Sequence, residues 1–74
     1  MKERIREFLH ASPFQPFVIR VADGREYRID HPDFVFASPD ERTEVVVEDR
    51  GHMHYLSAFQ ITSVERLGSV GSAA

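Results

Sequence analysis

The stretch that decides the fold runs Phe17-Val18-Ile19-Arg20-Val21-Ala22-Asp23-Gly24-Arg25-Glu26-Tyr27-Arg28-Ile29-Asp30. It alternates on both sides of an Asp-Gly pair, which is the signature of an antiparallel hairpin. On one side Phe17, Ile19 and Val21 face one way and Val18, Arg20 and Ala22 the other. Loop length then sets the register. A two-residue loop would place Ile19 against Arg28 and Val21 against Glu26, mixing apolar and charged side chains on one face. A three-residue loop, Ala22-Asp23-Gly24, pairs Phe17 with Ile29 and Ile19 with Tyr27, and sets Arg20 against Glu26 on the solvent side. The second register satisfies both faces. It predicts a type I turn followed by a glycine bulge at Gly24.

Before this hairpin, residues 2–11 read as a short amphipathic helix, with Met1, Ile5, Phe8 and Leu9 on one face. Pro13 ends it by excluding the helical region for Ser12. A helix of about ten residues is marginal alone, so its stripe must dock on the sheet. Pro13-Phe14-Gln15-Pro16-Phe17 turns the chain into the first strand.

After the hairpin, Pro32 in His31-Pro32-Asp33 cannot donate to a ladder and marks a corner or an edge. Phe34-Val35-Phe36-Ala37 is a short apolar strand, residues 38–42 a turn, and residues 43–48 a strand with Val45 and Val47 on the core side. Asp49-Arg50-Gly51 repeats the first hairpin's pattern. A three-residue loop there pairs Val47 with Met53 and Val45 with Tyr55, and places His52 opposite Glu48 and His54 opposite Val46. A two-residue loop stays open as the alternative. Residues 52–56 are the next strand, 57–60 a short turn, 61–67 a final strand and 68–74 a loose tail. The expected fold is mostly β with an N-terminal helix: one small domain over residues 1–67, whose five or six short antiparallel strands form a strongly curved sheet or barrel, Sm-like or SH3-like.

Composition removes several functions. The chain has 74 residues and no cysteine, so it has no disulfide, cysteine nucleophile or thiolate metal site. The longest apolar runs are three or four residues, against about 20 for a membrane span. The charged N-terminus has no apolar run behind it, so a secretion signal is not expected and a cytoplasmic location is. The formal net charge of −3 argues against a generic polyanion binder. Residues 1–31 carry six Lys/Arg and five Asp/Glu, whereas residues 32–74 carry three Arg and seven Asp/Glu, so the negative charge sits in the second half.

Three groups of residues are candidates for a site. Arg20 and Arg28 fall on the solvent face of the first hairpin and Arg25 at its turn. With Arg4 and Arg6 they offer a modest basic patch, to which Tyr55 and Phe59 would add stacking surfaces for single-stranded bases. Against this, Asp23, Glu26 and Asp30 interleave with the arginines, and the plainer reading of Tyr55 and Phe59 is as core residues. His31 and Asp33 flank Pro32, where a carboxylate can orient an imidazole. No serine lies in a nucleophile context, so catalysis is not expected and the pair is read as hydrogen-bonding the backbone freed at the corner. His52 and His54 share one face of a strand. With Glu48 across the ladder they offer two nitrogens and an oxygen to a metal. The plainer reading is solvent-facing, pH-sensitive histidines, and no cofactor, membrane or small-molecule substrate is expected.

Two resemblances follow. A helix followed by a bent antiparallel sheet, with the strand of residues 17–24 ending in a glycine turn and a closing Phe59-Gln60-Ile61-Thr62-Ser63-Val64, resembles the Sm-like fold of the bacterial Sm-like RNA chaperone. That resemblance implies rings formed through the terminal strands, and RNA as a ligand. Pro13-Phe14-Gln15-Pro16-Phe17, Asp23-Gly24-Arg25, His31-Pro32-Asp33-Phe34 and Arg42-Thr43-Glu44-Val45-Val46-Val47 are similar to segments of a family of small bacterial proteins carrying PFxPF, DGR, HPxF and RTVVV in this order. Glu44 departs from the last segment. This resemblance implies a bacterial source and supports the fold, and assigns no activity. The expectation is a non-catalytic interaction module acting through strand edges and the helix, as a homo-oligomer or with a protein partner. An RNA-binding Sm-like protein is the alternative and a small metal-binding protein the third choice.

Overall fold

A computed structural model describes residues 1–40 and 42–67. The expected tail at 68–74 lies outside the described residues. Helix α1 spans Lys2–Leu9, two residues shorter than its apolar pattern suggested. The amide of His10 still donates to the Arg6 carbonyl at 3.0 Å, but that of Ala11 turns to the Phe8 carbonyl at 3.4 Å. This tightened last turn leaves the helical path before Pro13 can clash with it. At the other end the Lys2 ammonium donates to the carbonyls of Asp40 and Arg42. These carbonyls thereby hold the start of the helix.

Six strands follow among the described residues: β1 Phe17–Val21, β2 Glu26–Ile29, β3 Val35–Ala37, β4 Glu44–Asp49, β5 His52–Ser57 and β6 Ile61–Arg66. They form two antiparallel three-stranded sheets, ordered β2-β1-β6 and β3-β4-β5. Among the described residues no ladder joins β2 to β3 or β5 to β6, so the strands do not close into a barrel. The corner at Pro32 accounts for the first gap. Pro32–Phe34 is a 3-10 turn, which takes Phe34 out of the expected strand. Ala58–Gln60 is a second 3-10 turn and carries the chain from one sheet to the other.

The first hairpin has the register that its two faces require: Phe17 pairs with Ile29, Ile19 with Tyr27 and Arg20 with Glu26. The amide of Gly24 donates to the Val21 carbonyl and that of Val21 to the Arg25 carbonyl, both at 2.9 Å. Gly24 has φ 95°, where a Cβ would be strained.

The second hairpin takes the two-residue loop, and the three-residue register is corrected. Arg50 and Gly51 both have positive φ, 55° and 85°, as a type I′ turn requires. Val45 therefore pairs with Leu56, Val46 with Tyr55, Val47 with His54, Glu48 with Met53 and Asp49 with His52. A slip of one residue exchanges the faces of the whole strand. Leu56 and His54 turn inward, and Tyr55 and Met53 turn outward.

The core lies between the two sheets under α1. Ile5, Phe17, Ile19, Ile29, Val45 and Val47 are fully buried. Phe17 takes edge contacts from Phe8 and Phe14, with ring centroids 5.3 and 6.0 Å away, so the helix stripe is seated on β1. Truncating such a buried aliphatic chain to alanine costs about 2–5 kcal/mol.

Candidate functional site

The three arginines of the first hairpin each meet a carboxylate. The Arg20 guanidinium bonds Glu26 across the hairpin and lies 3.4 Å from Glu65 of β6. Arg25 donates to Asp23 at 2.6 Å and to the Tyr27 hydroxyl at 2.9 Å. Arg28 donates to Asp30 at 2.8 Å. The Arg25 amide also donates to the Asp23 carboxylate at 3.1 Å. That bond, and behind it the guanidinium, holds the Asp23 carboxyl below the usual aspartate range. Arg20 and Arg28 lie on the outward face of the hairpin, whereas Arg25 turns to the Tyr27 side, and each of the three is held in an ion pair. Such a surface offers far less attraction to a phosphate backbone than free arginines would.

His31 and Asp33 also meet. The Asp33 amide donates to His31 Nδ1 at 3.3 Å and the carboxylate lies 3.6 Å from the same nitrogen. The imidazole thus caps the 3-10 turn at Pro32, the backbone role expected of it. Both side chains are exposed.

The register of the second hairpin separates the proposed metal ligands. His52 and His54 share the inward parity of β5, whereas Glu48 opposes Met53 and faces outward. Among the described residues no three His, Asp or Glu side chains gather as a metal site would require. His54 instead packs its ring on Tyr27, with centroids 5.0 Å apart and Nδ1 3.4 Å from the hydroxyl. Arg25, Tyr27 and His54 form a chain of contacts linking β2 of one sheet to β5 of the other.

The feature that sequence reasoning missed is the outer face of the second sheet. Phe36, Val46 and Tyr55 lie side by side across β3, β4 and β5. Phe36 is 63% and Tyr55 65% exposed, and Met53 beside them is 54% exposed. Glu44 and Glu48 stand on β4 two residues either side of Val46 and share its outward parity. Neither enters an ion pair among the described residues. Phe59, which is 85% exposed, projects from the 3-10 turn after β5. The signal for this face was present in the sequence. Residues 53, 55 and 56 are apolar at both parities, so one side of β5 had to carry apolar groups into water whichever register won.

Among the described residues, strand β5 pairs only with β4, β6 only with β1, and β2 only with β1. The β3 edge lies beside α1. No described helix is long and apolar enough to cross a membrane. Compared with family models, curated proteins and solved structures, the chain matches none of them.

Proposed function

We propose that the chain is a small, non-catalytic interaction module that pairs with copies of itself along a free strand edge. Its helix-first order, its 3-10 turn before the last strand and the pairing of that strand with β1 support an Sm-like or SH3-like arrangement of this module. The observation that carries the reading is the outer edge of β5, which pairs with no strand among the described residues. The closing pair Asp49–His52 of a two-residue hairpin is hydrogen-bonded, so bonded and non-bonded pairs alternate from there. The N–H and C=O groups of Met53 and Tyr55 consequently point away from β4. Residues 52–57 include no proline, lysine or carboxylate, the devices by which sheets protect an edge from pairing. The helix contributes less, because Ile5 and Phe8 are already packed into the core. The paired state of Arg20, Arg25 and Arg28 weighs against RNA as the ligand.

Light scattering over a range of concentrations tests the reading. The expected result is a mass above the 8.5 kDa of one chain, with amide exchange at Met53 and Tyr55 slowing as the protein is concentrated. Met53→Pro removes one edge donor and no ladder bond. It should return the mass to a monomer without loss of the circular dichroism of the fold. A wild-type chain that stays monomeric, with exchange at both amides independent of concentration, would overturn the proposal.

A further inference from the structure

The outer face of the second sheet is a second surface with its own chemistry. Phe36 and Tyr55 flank Val46 at one strand spacing on each side, so their backbones stand about 10 Å apart, at about 4.8 Å per strand. Along β4, Glu44 and Glu48 lie about 13 Å apart, at about 3.3 Å per residue. The face is therefore an apolar centre between two aromatic side chains, with a carboxylate at each end.

Charge decides what it fits. A second copy stacked on the same face about a two-fold axis would bring Glu44 and Glu48 against their own counterparts. An RNA strand or an anionic membrane would meet the same two carboxylates. The arginines that bracket β4 do not offset them, since Arg42 pairs with Asp40 and Arg50 lies by Asp49. The complementary ligand is a cation, an apolar side chain and a second cation on one side of an extended segment, at positions i, i+2 and i+4. Their spacing matches Glu44, Val46 and Glu48. The aromatic rings beside the row add cation–π attraction for the flanking cations.

We infer that this face docks an extended basic peptide segment of the pattern cation-x-apolar-x-cation, laid along β4. The inference rests on the reading of the chain as an interaction module, but on a different surface from the β5 edge. The mass measurement reads the edge and a peptide titration reads the face, so either can fail alone.

The probe is the heptapeptide Thr-Lys-Thr-Leu-Thr-Lys-Thr, acetylated and amidated, titrated into the isotope-labelled full chain. The expected result is saturable resonance shifts centred on Phe36, Val46 and Tyr55 that weaken with salt. Glu44→Gln combined with Glu48→Gln should weaken binding about tenfold, from the loss of two exposed charge pairs. A peptide with glutamate in place of both lysines should not bind the native chain. It should bind the variant carrying Glu44→Lys and Glu48→Lys, which separates charge recognition from damage to the fold. Absence of shifts at millimolar peptide would overturn the inference. So would equal binding by the doubly neutralised chain, an RNA oligonucleotide shifting the same resonances, or shifts that follow protein concentration alone.

Discussion

The two hairpins are built from similar sequences and close differently. In the first, Asp23-Gly24 sits in a three-residue loop with a bulge at Gly24; in the second, Arg50-Gly51 forms a two-residue loop with both residues at positive φ. The first hairpin has one apolar face and one that carries its charges around a single buried apolar residue, Val18. Phe17, Ile19, Tyr27 and Ile29 point inward, and Arg20, Glu26 and Arg28 point outward. A slip of β2 by one residue would turn Glu26 and Arg28 into the core, so the register is enforced by a large penalty. The second hairpin has apolar residues on both faces. Val45, Val47 and Leu56 point inward, while Val46, Met53 and Tyr55 point outward among Glu44 and Glu48. Here the hydrophobic pattern discriminates weakly, and turn geometry decides. The apolar groups left over by that decision are the ones free to meet a partner.

The largest expected effect separates inward from outward on β5. Leu56 is 3% exposed and Tyr55 65% exposed. Leu56→Ala should cost about 2–5 kcal/mol in urea denaturation, as a buried truncation does. Tyr55→Ala should change stability by roughly 0.5 kcal/mol, as a surface substitution does. The three-residue register demands the reverse order. Finding Tyr55→Ala the more damaging of the two would break the comparison at its base.

A smaller effect sharpens the contrast between the turns. Arg50 holds φ 55°, a conformation that costs an ordinary residue roughly 1 kcal/mol. Asparagine tolerates it, and Asn-Gly is the favoured pair of this turn type. Arg50→Asn should therefore stabilise the chain by about 0.5–1 kcal/mol. Ala22→Asn, in the first loop, meets no such strain and should stay within about 0.5 kcal/mol of the native chain. Thermal melts of the two variants read the difference. Equal effects would show that Arg50 carries no conformational cost.

How far the sequence predicts each region follows from the same physics. Strand β1, β2 and their register were legible because a wrong pairing puts Arg28 or Glu26 into the core. The corner at Pro32 was legible because a missing amide cannot be supplied by context. The end of α1 was read two residues late, since the apolar stripe continues to Leu9 while the backbone tightens beyond it. The partner of Arg20 on β2 was legible from the hairpin. Its second partner, Glu65, belongs to a strand some forty positions away, and only the sheet order β2-β1-β6 brings it there. That one side of β5 would carry apolar groups into water was legible, but that the row would be Phe36, Val46 and Tyr55 was not, for the reason that makes it useful. It exists only in one of two registers that the pattern alone leaves nearly balanced.

The smallest effect concerns acid. The first turn is tied by the Asp23 carboxylate to the Arg25 amide and guanidinium, and no carboxylate bonds the backbone of the second turn among the described residues. Because the Asp23 carboxyl is held below its ordinary value in the folded chain, first by that amide and then by the guanidinium, the unfolded chain takes up its proton at higher pH than the folded one. The contribution of Asp23 is thus fully present above the ordinary aspartate value of 3.8 and is lost as pH falls through the lowered one. Asp40 behaves alike, held down by the Ser38 hydroxyl and then by the Arg42 amide, so total stability against pH does not isolate the turn. The difference between the native chain and Asp23→Asn does. Urea midpoints of the two should stand furthest apart near neutral pH and converge in acid, with the native chain the more stable until they meet. Both carboxylates are exposed, so the gap is small. A gap that stays constant down to the acid limit would mean that Asp23 ties the turn by geometry alone, and the first hairpin would then owe its register to its two faces without help from its turn.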